Sequence, residues 1–479
     1  MLVVGRGIRS IGAERRVVRV QPSQERGQLA LAFCEPGGGV VGGHTPSVSA
    51  AADTAASTRK GVHRLERMAD ILAITGGHVV PVVGDSIDGG TVIAVDGVIT
   101  DVGADIAIPD GARIVDATGS WVLPGLVEAH GHLGVHEDGE GWSGNDTNEM
   151  TDPNGARFRA LDGIDIEEVG FRDALRGGVT TAVIKPGSGN PIGGRTVAIK
   201  TWGGRTVDEQ VLRADVSVKS ALGENPKRVY GEKKQTPSTR LGVAAVLREA
   251  FVGARTYAEK RAAAASKGEP FDRDLTHETL AAVLDGDLAW DQHCHRHDDI
   301  ATAIRLSEEF GYRLVVNHGT EGHKIADVLA EKGIPVIFGP MLTSRSKVEL
   351  RDRGIGNLAL IAEAGVTVAI TTDHPVVPID QLRLQAILAV SEGLDSKIAL
   401  EALTVNPAAI LRLDDRVGAL EAGRDADIVV WSGDPLAIDS RVERVFIGGR
   451  DVVEPTGADD ATPRVVERWE RFGRTSWRG

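Results

Sequence analysis

From about residue 125 to 405 the chain alternates short apolar runs with amphipathic ones, and polar residues repeatedly end the apolar runs. The strand-like runs are LVEAHGH, VTTAVIKPG, DVSVKSAL, LAWDQHCH, RLVVNHG, IPVIFGP and VTVAITTDH. Helix-like stretches lie between several of them: IEEVGFRDALRGG, DDIATAIRLSEEFG, KIADVLAEKG and NLALIAEAG. Alternation over this length implies a parallel sheet covered by helices, and the repeat count fits a (β/α)8 TIM barrel over 125–416, an α/β fold. Residues 69–124 and 417–455 instead show short apolar runs broken by Gly and Asp turns. They are expected to form one small composite β-sandwich, because each piece alone offers too few strands.

Other stretches lack this pattern. Residues 1–67 hold ten Arg and Lys against five Asp and Glu in a Gly-, Ser-, Ala- and Thr-rich context. They are expected to be a disordered extension, or upstream of a true start at Met68; an Arg-rich targeting segment is the lesser alternative. Residues 456–479 are expected to be a tail. The segment 225–280 is irregular, then becomes a long charged helix. It reads either as an insertion on the functional face or as a solvated surface helix.

The formal net charge of −14 argues against nucleic acid or an anionic membrane as partner. No apolar run reaches 18 residues, so no membrane helix is expected. Two cysteines, Cys34 and Cys294, cannot build a disulfide framework, and a reducing, cytoplasmic setting is expected. A homo-oligomer is left open.

The chemistry lies at the strand ends. His130 and His132 form an H-x-H pair, His293 and His295 repeat that spacing, His318 ends RLVVNH, and Asp373 ends VAITTD. In a TIM barrel, groups at the C-terminal strand ends converge on one site. Imidazoles and a carboxylate there suit one or two divalent metal ions, zinc before others. A lone strand-end histidine is more often structural; the ordered set carries the argument. Cys294 lies between His293 and His295 and should point to the opposite face, as a small core residue.

As a set, VLPGLVEAHGH, GVTTAV, RLVVNHGTEG, AITTDHP, LTVNPAAILRL and GALEAGRDADIVVW resemble the amidohydrolase superfamily over about residues 69–455. The nearest branch is the imidazolonepropionase-like proteins, which include dipeptidases and prolidases. The resemblance implies a metal-dependent hydrolase that cleaves a C–N bond, amide or cyclic amide, of a small-molecule substrate. By position, His130 and His132 would bind one metal, and His293 and His318 a second. Asp373 would contact the first metal and act as general acid–base. Lys219, carboxylated by CO2, would bridge the two, with Glu224 as the alternative and Lys185 and Lys200 as poorer ones. His136, in the Gly- and Asp-rich loop after the H-x-H strand, and His295 would face substrate. Asp425 and Asp427 are expected to be turn residues. A lactonase or phosphotriesterase, a deaminase and a metal-free scaffold are the rival readings. A deaminase would need a Glu near the strand-five histidine, and none lies between His293 and Asp298.

Overall fold

Five strands open the described chain: β1 (Ile71–Val79), β2 (Ile87–Val95), β3 (Val98–Gly103), β4 (Arg113–Asp116) and β5 (Trp121–Pro124). The computed structural model describes residues 69–454 and 464–466. The expectations for residues 1–67 and for Met68 lie outside the described residues.

The α/β part supplies β6 (Leu126–Gly131), β7 (Val179–Ile184), β8 (Ile192–Arg195), β9 (Val197–Lys200), β10 (Val211–Arg213), β11 (Ser217–Ala221), β12 (Ala289–Cys294), β13 (Leu314–His318), β14 (Val336–Phe338) and β15 (Val368–Ile370). All seven strand-like runs of this region are strands. A six-stranded sheet runs β15-β14-β13-β12-β11-β8, and a four-stranded one runs β10-β9-β7-β6. β11 to β15 pair in parallel, as do β6 and β7. β8 and β9 flank Thr196 and run antiparallel to β11 and β7, so this segment departs from an all-parallel sheet. Side chains from both sheets meet in one buried cluster that includes Val127, Val183, Ala198, Ala289, Val315, Ile337 and Ala369, closed off by Ile410 and Leu413.

No ladder joins β15 to β6 among the described strands; the Glu128 carboxylate spans that gap. It accepts from Thr371 Oγ1 (2.6 Å), Thr372 Oγ1 (2.6 Å), Thr372 N (2.9 Å) and His130 N (3.0 Å). Close packing at the opening of β6 explains the glycine of the LPG motif. A Cβ on Gly125 would sit 2.0 Å from Thr180 Oγ1.

The C-terminal strands are β16 (Ile428–Trp431), β17 (Val442–Ile447), β18 (Arg450–Glu454) and β19 (Arg464–Val465). β16 pairs antiparallel with β5, so strands from both ends of the described chain share one mixed nine-stranded sheet. The two segments expected to share a domain thus share one hydrogen-bonded sheet, with a buried cluster of its own that includes Leu72, Val92, Val122, Ile428 and Phe446. The stretch 456–479, read as a tail, contributes β19, and Trp202 Nε1 donates to Val466 O at 3.1 Å.

The charged helix, Arg240–Lys267, is not a wholly solvated excursion. Val243, Leu247, Phe251 and Ala254 recur at helical spacing and are buried. Phe251 packs on Trp290, Phe310 and Tyr312 with ring centroids 4.8, 5.0 and 4.9 Å away. The stripe is thinned by alanines, which is why charge dominated the reading of the sequence. No described helix is long and apolar enough to cross a membrane.

Candidate metal centre

Along β12, Ala289 faces the inner cluster while Trp290 and Cys294 face the helices. Alternation therefore turns Asp291 and His293 inward and leaves Cys294 in the core, where burial pushes its thiol up. Along β13 the same alternation would send His318 outward with Leu314 and Val316. His318 has φ 70, a left-handed conformation rare outside glycine, and its ring lies 4.4 Å from that of His293. Asp373 is also left-handed, at φ 55. Such residues cost on the order of 1–3 kcal/mol each, and they cluster where function demands a fixed side-chain direction.

The sequence-predicted residues converge. Asp373 Oδ1 lies 3.1 Å from His130 Nε2 and 3.3 Å from His132 Nε2. Lys219 Nζ lies 2.8 Å from His130 Nε2. His130, His318 and Asp373 form one group whose ligand atoms lie within 4.8 Å of one another; His293, His295 and Glu349 form another. The expected pairing of His293 with His318 is thus spread over two adjoining groups. His136 and His295 line a cavity of about 350 Å3 with His132, His293, His318 and Asp373.

The outer ring nitrogens are fixed from behind. His130 Nδ1 meets Asn317 Oδ1 (2.9 Å), His132 Nδ1 meets Lys185 O (2.8 Å), and His318 Nδ1 meets Gly339 O (2.7 Å). His295 Nδ1 meets Thr320 Oγ1 at 2.8 Å. Each contact leaves Nε2 directed away from its partner, toward the site. Gly339 must be glycine for this: at φ 137, a Cβ would sit 2.2 Å from Thr371 O. Beneath the rings, Asp291 accepts from Lys185, Asn317 and Ser217 Oγ, the last at 2.9 Å.

Burial, then the Lys219 charge, lowers the His130 imidazole to about 3. Burial, then the Lys185 charge, lowers the Lys219 amine to about 7. For Asp373 burial acts upward, but the His130 and His132 imidazoles outweigh it and hold the carboxyl well below its usual range. Burial lowers the His293, His295 and His318 imidazoles as well, which favours the neutral form in which a histidine is a ligand.

The residues fit a divalent ion. Both ring nitrogens of His293, Nε2 of His295 and Oε1 of Glu349 are buried without a hydrogen-bond partner. Buried polar atoms are rarely left so unless a ligand takes them. Mixed imidazole and carboxylate donors suit zinc and its neighbours.

Other candidates fall away from the site. Glu224 heads the helix Glu224–Glu232, and its N–H donates to Glu349 Oε2 at 3.0 Å. Its carboxylate is not part of the cavity wall. Lys200 pairs with Asp427 and, at 2.9 Å, with Asp425; those two aspartates tie the nine-stranded sheet to β9. Glu349 was missed by sequence reasoning. It sits in SKVELRD, a segment with no periodicity or motif, and reaches the site through a loop. Its Oε1 lies 3.8 Å from His295 Nε2.

An α/β fold that gathers imidazoles and an aspartate at the C-terminal ends of its strands has the arrangement of an enzyme active site. The amidohydrolase family matches residues 121–452, and the chain belongs to that family, as an enzyme acting on C–N bonds. It is 31% identical over 368 residues to amidohydrolase tasK of Hapsidospora irregularis, covering 71% of this chain but 37% of that protein, so it spans about a third of this relative's length. It is 26% identical to the imidazolonepropionase of Cupriavidus taiwanensis over 76% of this chain and 88% of that one. Among solved structures, an amidohydrolase from Thermotoga maritima matches with TM-score 0.78 and 45% identity, over 80% of this chain and all of that one. The relatives place the chain in the imidazolonepropionase-like branch.

Proposed function

We propose that this protein hydrolyses an amide or cyclic-amide C–N bond of a small molecule at a divalent-metal centre, in a reducing, cytoplasmic setting. The observation that carries the reading is the approach of Asp373 Oδ1 to within 3.3 Å of both His130 Nε2 and His132 Nε2. The reading takes the two sheets as one closed (β/α)8 barrel, supported by their shared interior cluster, with the nine-stranded sheet as a composite β domain beside it.

His130, His132, His293, His318 and Asp373 would hold one or two ions, zinc first among candidates. When bound, such an ion polarises the carbonyl and lowers the pKa of water from 15.7 toward about 7. Asp373 takes the proton of the attacking water and returns it to the leaving nitrogen. Lys219 is the candidate bridging ligand: its neutral amine adds CO2 and loses a proton, which leaves a carbamate anion facing His130. His136 and His295 line the cavity beside these groups, where substrate contacts them. A screen of zinc-loaded protein against dipeptides, N-acyl amino acids and cyclic amides tests this. Chelator-sensitive release of an amine supports it; no turnover across the three classes contradicts it.

One observation favours a second reading, a deaminase: Glu349 stands beside His295 with an unpartnered oxygen. Release of ammonia from an amino-substituted heterocycle, with none from amides, would favour it.

A further inference from the structure

We propose that His293, His295 and Glu349 form a divalent-metal position of their own, beside the one around His130, His132 and Asp373, and that Glu349 is its carboxylate ligand. The proposal goes beyond the hydrolase reading, which names neither His295 nor Glu349 as a ligand, and it does not depend on which bond the enzyme cleaves.

His293 lies near the end of β12 and His295 follows two residues on, with ring centroids 4.7 Å apart and planes at 89°. Glu349 comes from the loop after β14, in the short turn Val348–Leu350. One donor atom from each of the three residues lies within 4.8 Å of the other two, and all three side chains are buried. Two of them are fixed from behind. His295 Nδ1 meets Thr320 Oγ1 at 2.8 Å, and Glu349 Oε2 accepts from Glu224 N at 3.0 Å. What remains is His295 Nε2, Glu349 Oε1 and both ring nitrogens of His293, and none of these has a hydrogen-bond partner among the described residues.

The donor set selects an ion over a water. With His295 donating through Nδ1 to Thr320, its Nε2 presents a lone pair, as does one nitrogen of neutral His293 and Oε1 of Glu349. A water has two protons and cannot satisfy three converging lone pairs, whereas a divalent cation satisfies all of them. Two imidazoles and a carboxylate also leave a fourth position open, as hydrolytic zinc sites do. His318 stands between the two positions, its ring 4.4 Å from that of His293 and 4.9 Å from that of His130.

Lys347 is the competitor. Its Nζ pairs with Glu349 Oε1 at 3.7 Å, beyond hydrogen-bond reach, and its side chain is 26% exposed, so it can turn toward solvent when an ion takes that oxygen. His295 then meets substrate through the ion that it holds. A Glu349 committed to an ion is not free to carry protons, so the same test bears on the deaminase reading.

The test titrates metal-stripped protein with zinc alone, read by calorimetry and by elemental analysis after dialysis. Wild-type protein is expected to take up about two equivalents. Glu349→Gln and His295→Gln should each weaken one of them about tenfold or more and leave the other unchanged. Lys347→Met should tighten that same equivalent, because the competing cation is gone; a merely structural role for Glu349 would not give this gain. Unchanged melting temperatures of the stripped variants exclude a folding defect, and Lys347→Met keeps the test open should the other two fail to fold. Saturation of the wild type at one equivalent overturns the proposal, as does a second equivalent that binds the folded variants as tightly as the wild type. No turnover is measured, so the two readings fail separately: two equivalents without amide cleavage sink only the hydrolase reading, and one equivalent with cleavage sinks only this one.

Discussion

Lys219 Nζ lies 2.8 Å from His130 Nε2, although the two residues are 89 positions apart and both are buried. A charged ammonium there would sit in a low-dielectric interior beside a potential metal ligand. Burial and the Lys185 charge instead lower the amine to about 7. The neutral amine is the form that captures CO2, and it dominates above that pH. Metal-free protein in 13C-labelled bicarbonate should therefore show a carbamate signal that grows as pH rises through about 7 and fades as it falls. Lys219→Arg should show none. A signal unchanged by that substitution would move the modification to another lysine.

On the proposed mechanism Asp373 moves the proton and is also one of the metal ligands, so its replacement is read with metal content beside turnover. Asp373→Asn should lower kcat about 100- to 10,000-fold while most metal is retained, because the imidazole ligands stay. Asparagine tolerates φ 55, so the fold should persist. Near-normal turnover in a folded, metal-bearing variant would remove Asp373 from the mechanism.

Glu128 accepts four hydrogen bonds where no ladder joins β6 to β15. Glu128→Ala would orphan buried donors, at about 1–3 kcal/mol each. A loss of about 3 kcal/mol or more in denaturant unfolding is expected, with a smaller loss for Glu128→Gln. A change below about 0.5 kcal/mol would mean that the gap needs no side-chain bridge.

Phe251 lies between the long helix and the strand carrying His293. Phe251→Ala should cost about 3–5 kcal/mol, read by thermal unfolding. A neutral result would restore the view of that helix as a solvated excursion.

Much of the site was legible because strand geometry is local. The polar ends of LVEAHGH, LAWDQHCH, RLVVNHG and VTVAITTDH named the convergent residues, and the inward face of β12 followed from alternation. His318 shows where this reasoning was right for an incomplete reason: alternation alone points it outward, and a left-handed backbone redirects it. Glu349 and Lys347 were not legible, since an irregular loop delivers them and no periodicity marks where such a loop returns. Lys185 was set aside as off the metal axis. It lies buried on Asp291 beneath the ligand shell, a contact between side chains 106 positions apart. That residues 69–124 and 417–455 join in one sheet was foreseen, but not which strands meet, β5 with β16, because register between distant strands leaves no local signature.

The central claim is that His130, His132, His293, His318 and Asp373 form a divalent-metal centre on which C–N hydrolysis depends. Elemental analysis of purified protein, paired with amide hydrolysis before and after chelation, tests it most directly. The account predicts about one to two equivalents of metal per chain, loss of hydrolysis on chelation, recovery on adding zinc, and a lower metal content in His130→Ala. Well under one equivalent with hydrolysis intact, or metal content unchanged in His130→Ala, would contradict it.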